Sequence, residues 1–327
     1  MRIGILGAAH QHVDYALAEV AYREELELVA ASEPDPELRE RFLAGISVPM
    51  YETADDLLAA HEIDVALVAG VYSTRSNSAT SALKAGAHVL ADKPLCISLG
   101  QLEEVRAAAE SSDRHVSIVF EKRHYPETLA LRRLVDRGVL GEIAMIASTG
   151  PHKLNQRTRP SWFLDPATYG GIAGDLPIHD IDLVLQLTGS NRGTVAAVAG
   201  NARAQEHPGF DDHVALLLRA GQVPATIEAN WLGPEAAGVH GHYRMRVTGE
   251  LGTAEVDWAY HRLAVTTHDR PTWDEPLGPA QRPAQYFFDA ILAGEDPEIG
   301  TSASLLATEV ALKAQCSAER GGEVQSF

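Results

Sequence analysis

Residues 2–22, RIGILGAAHQHVDYALAEVAY, decide the fold of this chain. The stretch begins with the apolar run Ile3 to Leu6, turns at Gly7, and continues from Val13 with apolar residues at helical spacing. A second apolar run at residues 26–31 follows, and then a polar break leads into a charged helical segment. This order predicts a strand, a tight turn, a helix and a second strand, which is the βαβ unit of a parallel sheet.

The same alternation continues to about residue 120. Further strands are predicted at residues 65–68, 88–91 and 116–120, with helices at residues 78–84 and 102–109. Strands separated by helices form a parallel, doubly wound sheet that binds ligands at the carboxyl ends of its strands. We therefore expect an α/β Rossmann domain over residues 1–120.

The bulk composition limits the domain count and the partners. A chain of 327 residues is too long for one ordinary core, which indicates two domains. Its formal charge of −18 argues against a surface for nucleic-acid phosphates or anionic lipid. No run approaches the roughly 18 apolar residues of a membrane helix. The two cysteines, Cys96 and Cys316, are far apart, which predicts no disulfide framework and fits a reducing, cytoplasmic compartment.

The first turn contains candidates for dinucleotide binding. Gly7, Ala9 and His12 stand at the three glycine positions of a G-x-G-x-x-G fingerprint, so the motif is degenerate. Backbone amides at the start of a helix can hold a pyrophosphate, and His10 and Gln11 lie at that start. A plain strand-to-helix turn is the alternative.

Glu33 is a candidate for the adenosine ribose. An acid at the end of the second strand accepts hydrogen bonds from the ribose hydroxyls and repels a 2′-phosphate. This favours NAD over NADP, although Arg39 and Arg41 lie close in sequence. A solvated loop acid beside Pro34 is the alternative.

Lys93 directly follows a predicted buried strand, at the sheet edge where sites form. A lysine there can donate a hydrogen bond to a substrate hydroxyl and lower the pKa of a neighbouring acid/base group. Pro94 fixes the backbone behind it, and the sequence leaves the isomer of that bond open. An ordinary lysine at a strand end is the alternative.

A second candidate site lies in residues 169–183, YGGIAGDLPIHDIDL. A glycine-rich turn leads into a predicted helix in which Asp175 and His179, four residues apart, share one face. A buried carboxylate beside a histidine is costly unless it is hydrogen-bonded, which makes the pair a functional candidate. A core histidine bonded within its own helix is the alternative. No recognised motif joins the pair to His240 and His242, so no metal is expected.

Together these segments resemble the Gfo/Idh/MocA family, named for glucose–fructose oxidoreductase, inositol dehydrogenase and a rhizopine-catabolism protein. The resemblance covers nearly the whole chain. Its markers are the turn at Gly7, the sequence Asp92-Lys93-Pro94 for the family's Glu-Lys-Pro, and a G-G-x-x-x-D-x-x-x-H-x-x-D pattern ending at Asp182. Residues 120–126 and 138–143 resemble the segment that enters the family's second domain.

The resemblance implies a second, α+β domain over residues 121–327, built on a large, mostly antiparallel open sheet. The outer face of that sheet commonly makes homodimers or homotetramers. The later sequence is compatible, with strands predicted at residues 214–218, 225–231, 243–248 and 253–258. A closing helix is predicted at residues 302–316 and is expected to pack back on the first domain.

The resemblance also implies an enzyme, an NAD(P)-dependent dehydrogenase acting on a secondary alcohol of a sugar, inositol or related polyol. Lys93 then assists proton transfer and binds substrate, Asp175 binds substrate hydroxyls, and His179 is the acid/base. The cofactor-binding residues then also include Lys93, Pro94 and Arg75, which stands where many members have a histidine.

A loop beginning at residue 150 is a candidate on the substrate side. Lys153, Asn155 and Trp162 would suit a polyhydroxylated ring, with a plain surface loop as the alternative. Two other functions stay open for the whole chain. One is an NAD-dependent glycosidase of the same fold. The other is a non-catalytic nucleotide-sensing protein, suggested only by the degenerate fingerprint.

Overall fold

A computed structural model describes all residues, 1–327. The chain forms two compact units. The first contains Met1–Glu121, Ala167–Gly170 and Arg282–Thr308, and the second contains Lys122–Pro166, Gly171–Gln281 and Glu309–Phe327. The sequence placed one boundary near residue 120, whereas the chain leaves the first unit and returns to it twice.

The first unit is built on a six-stranded parallel sheet. Its strands are β1 (Arg2–Ala8), β2 (Glu27–Ser32), β3 (Met50–Tyr51), β4 (Val65–Ala69), β5 (His88–Ala91) and β6 (Val116–Ile118). They lie in the order β3-β2-β1-β4-β5-β6, and each neighbouring pair is parallel. This order reverses direction beside β1 and is the Rossmann arrangement that the sequence predicts.

Helices connect these strands. They are α1 (Val13–Tyr22), α2 (Pro36–Leu43), α3 (Ala54–Ala60), α4 (Arg75–Lys84) and α5 (Leu99–Ser112). Helices α2, α3 and α5 each follow a residue whose side chain accepts hydrogen bonds from N–H groups of the first turn. These residues are Asp35, Thr53 and Ser98. Such caps satisfy donors that have no partner inside the helix, so the local sequence fixes where these helices start.

The core of the first unit lies against the middle of the sheet. All five residues of β4 are buried, as its continuous apolar sequence predicts for a central parallel strand. Ile5 and Leu67 pack in one cluster with Phe287 and Phe288, which belong to the returning segment of the chain. That segment is therefore part of the hydrophobic core.

The second unit is built on a nine-stranded mixed sheet. Its strands are β7 (Ile143–Pro151), β8 (Gly193–Gly200), β9 (His213–Ala220), β10 (Val223–Asn230), β11 (Arg244–Gly249), β12 (Gly252–Asp257), β13 (Arg262–Thr267), β14 (Arg270–Asp274) and β15 (Gln325–Ser326). The order is β14-β13-β12-β11-β7-β10-β9-β8-β15. Only β7 and β10 pair in parallel, so the expected mostly antiparallel sheet is confirmed.

The remaining helices are α6 (Pro126–Asp136), α7 (Pro166–Tyr169), α8 (Ile172–Asp175), α9 (Ile178–Thr188), α10 (Gln285–Ala293) and α11 (Thr301–Glu319). The first residues of α11 belong to the first unit, where the hydroxyls of Thr301 and Ser304 accept from the N–H groups of Val116 and Ile118. No helix combines the length and the apolar character needed to cross a bilayer.

Strands β8 and β9 show the alternation of a sheet with one covered face. Along β9, Val214, Leu216 and Leu218 are buried, whereas Leu217 is exposed. Val198 of β8 is also exposed, and the pairing of Ala196 with Leu217 places it on the same face as Leu217. This face therefore carries apolar side chains that nothing in one copy of the chain covers.

Candidate active site

The end of β1 requires glycine at residue 7. Gly7 has φ +83°, and a Cβ atom added there would lie 2.6 Å from the Cα atom of Gly70, which follows β4. Only glycine permits both the positive φ and this close approach of two backbones. Gly7 therefore brings the ends of β1 and β4 together.

The amides after Gly7 divide into two groups. The N–H of Ala8 donates to Glu33 and the N–H of Ala9 donates to the carbonyl of Ala69. The next three N–H groups, those of His10, Gln11 and His12, lie in the turn just before α1 and donate to no backbone carbonyl. Free amides at a helix start bind anions, so this turn fits the pyrophosphate of a dinucleotide.

Glu33 lies at the end of β2, as predicted, and only 1% of its surface is exposed. Its carboxylate accepts from the N–H groups of Ala8 at 2.7 Å and Asp35 at 3.1 Å. Burial raises the pKa of Glu33, and these hydrogen bonds oppose that rise. The Glu33 carboxylate thus stabilises the chain at the end of β1. Its contact with a ribose stays a prediction, as does the influence of Arg39, whose guanidinium donates to the Glu33 carbonyl.

Arg75 is fully buried at the start of α4. Its guanidinium donates to the carbonyl of Gly70 at 2.7 Å, to the carbonyl of Lys93 at 2.6 Å, and to the carboxylate of Asp92 at 2.8 Å. These bonds tie the end of β4 to the Asp92-Lys93-Pro94 turn. The structure thus gives Arg75 a structural role that the sequence did not reveal, and its predicted contact with the cofactor stays a prediction.

The buried carboxylate of Asp92 is surrounded by three nitrogen-containing side chains, one guanidinium and two imidazoles. Besides the bond from Arg75, it has a hydrogen bond with Nδ1 of His12 at 2.8 Å, and Nδ1 of His10 lies 3.1 Å from its other oxygen. Burial acts to raise the pKa of Asp92, but the charges of Arg75, His12 and His10 hold it well below its usual range. The carboxylate is therefore ionised at neutral pH.

The two histidines respond differently to this carboxylate. Burial, with a smaller contribution from His12, lowers the pKa of His10 to about 4. Burial also acts to lower the pKa of His12, but the charges of Asp92 and Glu121 outweigh it, so that pKa is raised. His12 therefore binds a proton more strongly than the neighbouring His10.

Lys93 follows β5 as predicted and is buried, with 5% of its surface exposed. The peptide bond between Lys93 and Pro94 is cis. Lys93 lies directly beside Asp92, and its positive charge lowers the pKa values of both His10 and His12. Lys93 therefore belongs, with Asp92, His10 and His12, to one cluster of ionisable side chains at the end of β5.

The second unit contains Asp175 and His179, both buried. The prediction of a single helix around them is wrong, because α8 ends at Asp175 and α9 begins at Ile178. Pro177 lies at the junction, and because proline has no N–H it cannot continue the hydrogen-bond ladder of α8. The two residues consequently occupy the end of one helix and the first turn of the next.

The glycine-rich turn before Asp175 is set by packing. Gly171 has φ +101°, and a Cβ atom added there would lie 2.2 Å from the amide carbon of Gln315 in α11. The Gln315 amide oxygen in turn accepts from the N–H of Ala173 at 3.4 Å. Any larger residue at Gly171 would displace this contact and, with it, the start of α8.

Two buried ion pairs hold α9. Lys122 donates to Asp180 at 2.7 Å, and Arg123 binds both carboxylate oxygens of Asp182. The Lys122 ammonium also lies 4.3 Å from the centre of the Trp258 ring. The sequence did not reveal these pairs, because a run of charged residues ordinarily lies in solvent. The only signal was that the two bases and the two acids lie in segments that resemble family motifs.

The predicted substrate-side residues lie in the same unit. Nζ of Lys153 donates to the carbonyl of Ala237, and Asn155 is exposed in a left-handed conformation with φ 51°. Trp162 is half-buried, with its ring 5.6 Å from that of Phe163. The contact of these three side chains with a substrate stays a prediction.

Comparison with known proteins adds independent evidence. A family model described as the oxidoreductase family with an NAD-binding Rossmann fold matches residues 1–120. A second model, described as the GFO/IDH/MocA C-terminal domain, matches residues 128–255. The two matches lie in order along the chain and cover most of it.

Individual relatives agree with these matches. The rhizopine catabolism protein MocA of Rhizobium meliloti is 29% identical over 191 residues, 58% of this chain and only 57% of that protein's length. Inositol 2-dehydrogenase 4 of Saccharopolyspora erythraea is 27% identical over 293 residues, 88% of this chain and 82% of its own. The solved inositol dehydrogenase homologue of Azotobacter vinelandii, complexed with NAD⁺, is 21% identical with a TM-score of 0.80, covering 100% of this chain and 97% of that one. This last likeness is one of fold.

Proposed function

The chain belongs to the Gfo/Idh/MocA oxidoreductase family, and on that premise we propose that it moves hydride between NAD and a secondary alcohol of a sugar, inositol or related polyol. The observation that carries the proposal is the burial of three ionisable side chains at the motif positions: Lys93, Asp175 and His179. Burying such groups costs free energy unless they are partnered, and functional sites are where proteins retain them.

The NAD-binding Rossmann domain supplies the cofactor side. Gly7 and Ala9 shape the first turn, and the free N–H groups of His10 and Gln11 would hold the pyrophosphate. Glu33 would favour NAD, because a 2′-phosphate placed near its carboxylate would be repelled. Arg75 and Pro94 would act on the cofactor side through the backbone after β5, which the Arg75 guanidinium holds.

The proton chemistry falls to the chain's own residues. Bound NAD⁺ would supply the hydride acceptor for the carbinol carbon. A ring nitrogen of His179 takes the proton of the same hydroxyl, and Nζ of Lys93 donates a hydrogen bond to its oxygen as negative charge develops there. The carboxylate of Asp175 accepts a hydrogen bond from a neighbouring hydroxyl and so orients the ring. The alcohol thus loses one hydride and one proton and becomes a carbonyl group.

The substrate class rests on the relatives and on the loop after β7. A relative named as an inositol dehydrogenase aligns over most of the chain. Lys153 and Asn155 offer hydrogen bonds to hydroxyls, and Trp162 offers an apolar ring face. The nearby ring of His152 also lies 4.4 Å from that of Tyr243 and 5.4 Å from that of Trp231, which forms an aromatic wall in the same unit.

We also propose that the protein works as a homodimer or homotetramer in the cytoplasm. The exposed apolar face of β8 and β9 supports association of copies, because monomers rarely leave such faces bare. The two cysteines are free, which fits a reducing compartment.

A substrate panel tests the reaction. The protein would be incubated with NAD and a set of inositols, aldoses and alditols, and the absorbance of NADH would be followed. Oxidation of at least one polyol, lost in Lys93→Ala, is the expected result. Absence of NADH formation together with release of sugar from glycosides would favour the glycosidase alternative instead.

A further inference from the structure

Two histidine rings and a buried carboxylate meet at the carboxyl edge of the parallel sheet. His10 and His12 lie in the turn between β1 and α1, and Asp92 follows β5. Nδ1 of His12 is 2.8 Å from one oxygen of Asp92, and Nδ1 of His10 is 3.1 Å from the other. One potential ligand atom from each of the three residues lies within 4.8 Å of the other two.

We propose that His10, His12 and Asp92 form a three-ligand site for a divalent transition metal of the zinc class. Imidazole nitrogen and carboxylate oxygen are ligands that zinc accepts, at roughly 2.0–2.2 Å. Ligand atoms already this close together need only small side-chain rotations to converge on one ion. Three protein ligands leave a fourth position open to water or an exogenous group.

The geometry of the carboxylate supports this assignment. Arg75 donates to Oδ2 of Asp92 and is itself held by the carbonyls of Gly70 and Lys93. Metal-ligating carboxylates are commonly oriented by such an outer partner. Because Arg75 cannot rotate without breaking several bonds, Asp92 keeps one edge toward the two rings. The carboxylate is thus already held for a ligand on the histidine side.

The local charges are balanced rather than uniformly positive. Arg75 and Lys93 are cationic, while Asp92 and Glu121 are anionic, and each of the latter two acts on His12. A site between these groups carries no large net charge before a metal binds. The Asp92 carboxylate and two imidazoles would therefore supply the affinity without having to overcome a strongly repulsive surrounding field.

The competing explanation is a metal-free hydrogen-bond cluster in which each ring donates from Nδ1 to Asp92. The two explanations differ in what the apo protein does with added metal. The protein, treated with a chelator and freed of dinucleotide, would be titrated with Zn²⁺ by calorimetry and with Co²⁺ by visible absorption. One saturable equivalent is expected, with Co²⁺ bands of nitrogen and oxygen ligation and no thiolate band.

Variants locate the site. His10→Gln and His12→Gln should each weaken metal binding by at least about tenfold. The chain offers a matched control in its other His-x-His sequence, and the double variant His240→Gln/His242→Gln should keep the wild-type affinity. No saturable binding to the wild type, unchanged binding in both single variants, or loss of binding in the control would each overturn the proposal.

A measurement on the unaltered chain guards against variants that fail to fold. In ¹⁵N-histidine-labelled protein, Zn²⁺ should shift the ring nitrogens of two histidines at one equivalent, and shifts confined to other histidines would refute the site. The proposal does not rest on the proposed dehydrogenase function. Because the tests contain neither NAD nor polyol, failure of one proposal leaves the other standing.

Discussion

The guanidinium of Arg75 and the carboxylate of Asp92 lie 2.8 Å apart with both side chains almost entirely buried. Arg75 also bonds the backbone carbonyls that flank this pair, so one side chain joins the end of β4 to the turn that carries Lys93. This relationship accounts for why an arginine, and not a smaller base, stands at this position.

We expect Arg75→Met to destabilise the protein by about 3–5 kcal/mol, because it leaves the buried Asp92 charge without its main partner. Urea unfolding of the variant measures the effect. Arg106→Met is a matched control, since Arg106 pairs with Glu103 on the surface, where such pairs contribute roughly 0–1 kcal/mol. Equal stability of the two variants would show that Arg75 is dispensable.

His179→Ala should lower kcat for the identified polyol by about 10²–10⁴-fold, the usual contribution of a positioned acid/base. The NAD dissociation constant should stay nearly unchanged, since this residue is assigned to the substrate. Kinetics and melting temperature on the same purified variant separate this role from a structural one. His268→Ala, at an exposed position, is the control. Near-normal turnover in His179→Ala would remove the residue from the mechanism.

Glu33→Gln should narrow the preference for NAD over NADP, because it removes the charge and retains an oxygen that can accept from the N–H of Ala8. Calorimetric titration of both cofactors measures the ratio of affinities. Glu37→Gln, nearby in α2 and exposed, should leave that ratio unchanged. Tighter binding of NADP than NAD by the wild type would contradict the assignment of Glu33.

Leu217→Glu should lower the mass of the particle in solution. Leu217 and Val198 are 56% and 59% exposed on one sheet face, and a carboxylate placed there would have to be desolvated at an interface between copies. Light scattering at micromolar concentration measures the mass, with Leu292→Glu on α10 as a control outside the sheet. A monomeric wild type would argue against any such interface.

His88 should make the protein less stable as the pH falls from 6.5 to about 4. Burial is the main cause that lowers its pKa from 6.5 to about 4, followed by the charge of Arg114. The unfolded chain therefore takes up a proton first, so stability is complete above pH 6.5 and decreases toward pH 4. The ring also accepts from the N–H of His115, a bond that protonation would break.

His88→Gln tests this expectation. Melting temperatures at pH 7 and pH 5 should differ less in the variant than in the wild type, by the equivalent of about 1 kcal/mol. His61→Gln, another histidine of the first unit, is the comparison. An identical pH response in His88→Gln and the wild type would assign the acid sensitivity to other groups.

The sequence predicted the first sheet well because a parallel sheet carries strong local signals. Strand β4 is a continuous apolar run, and helices α2 and α5 have the capping residues Asp35 and Ser98 at their starts. The strands β3, β7, β8, β13, β14 and β15 were not predicted. Two of them, β3 and β15, have only two residues and carry no periodic pattern, and β14 has no buried residue.

The candidate site was predicted by residue type but not by arrangement. Lys93, Asp175 and His179 carry recognisable motifs, and their burial agrees with what those motifs suggest. The bonds from Arg75 to Asp92 and from Lys122 to Asp180 join residues 17 and 58 positions apart. No local periodicity encodes such pairs, because tertiary packing alone decides which buried acid meets which base.

The return of residues 282–308 to the first unit limits how this protein can be dissected. The N–H groups of Val116 and Ile118 on edge strand β6 depend on side chains contributed by α11, nearly 200 positions downstream. A fragment cut at residue 120 would keep all six strands, yet it would present an uncovered edge and lose Phe287 and Phe288 from its core. The nucleotide-binding unit is thus not contained in residues 1–120 alone. An isolated version of it would need residues 282–308 joined to it.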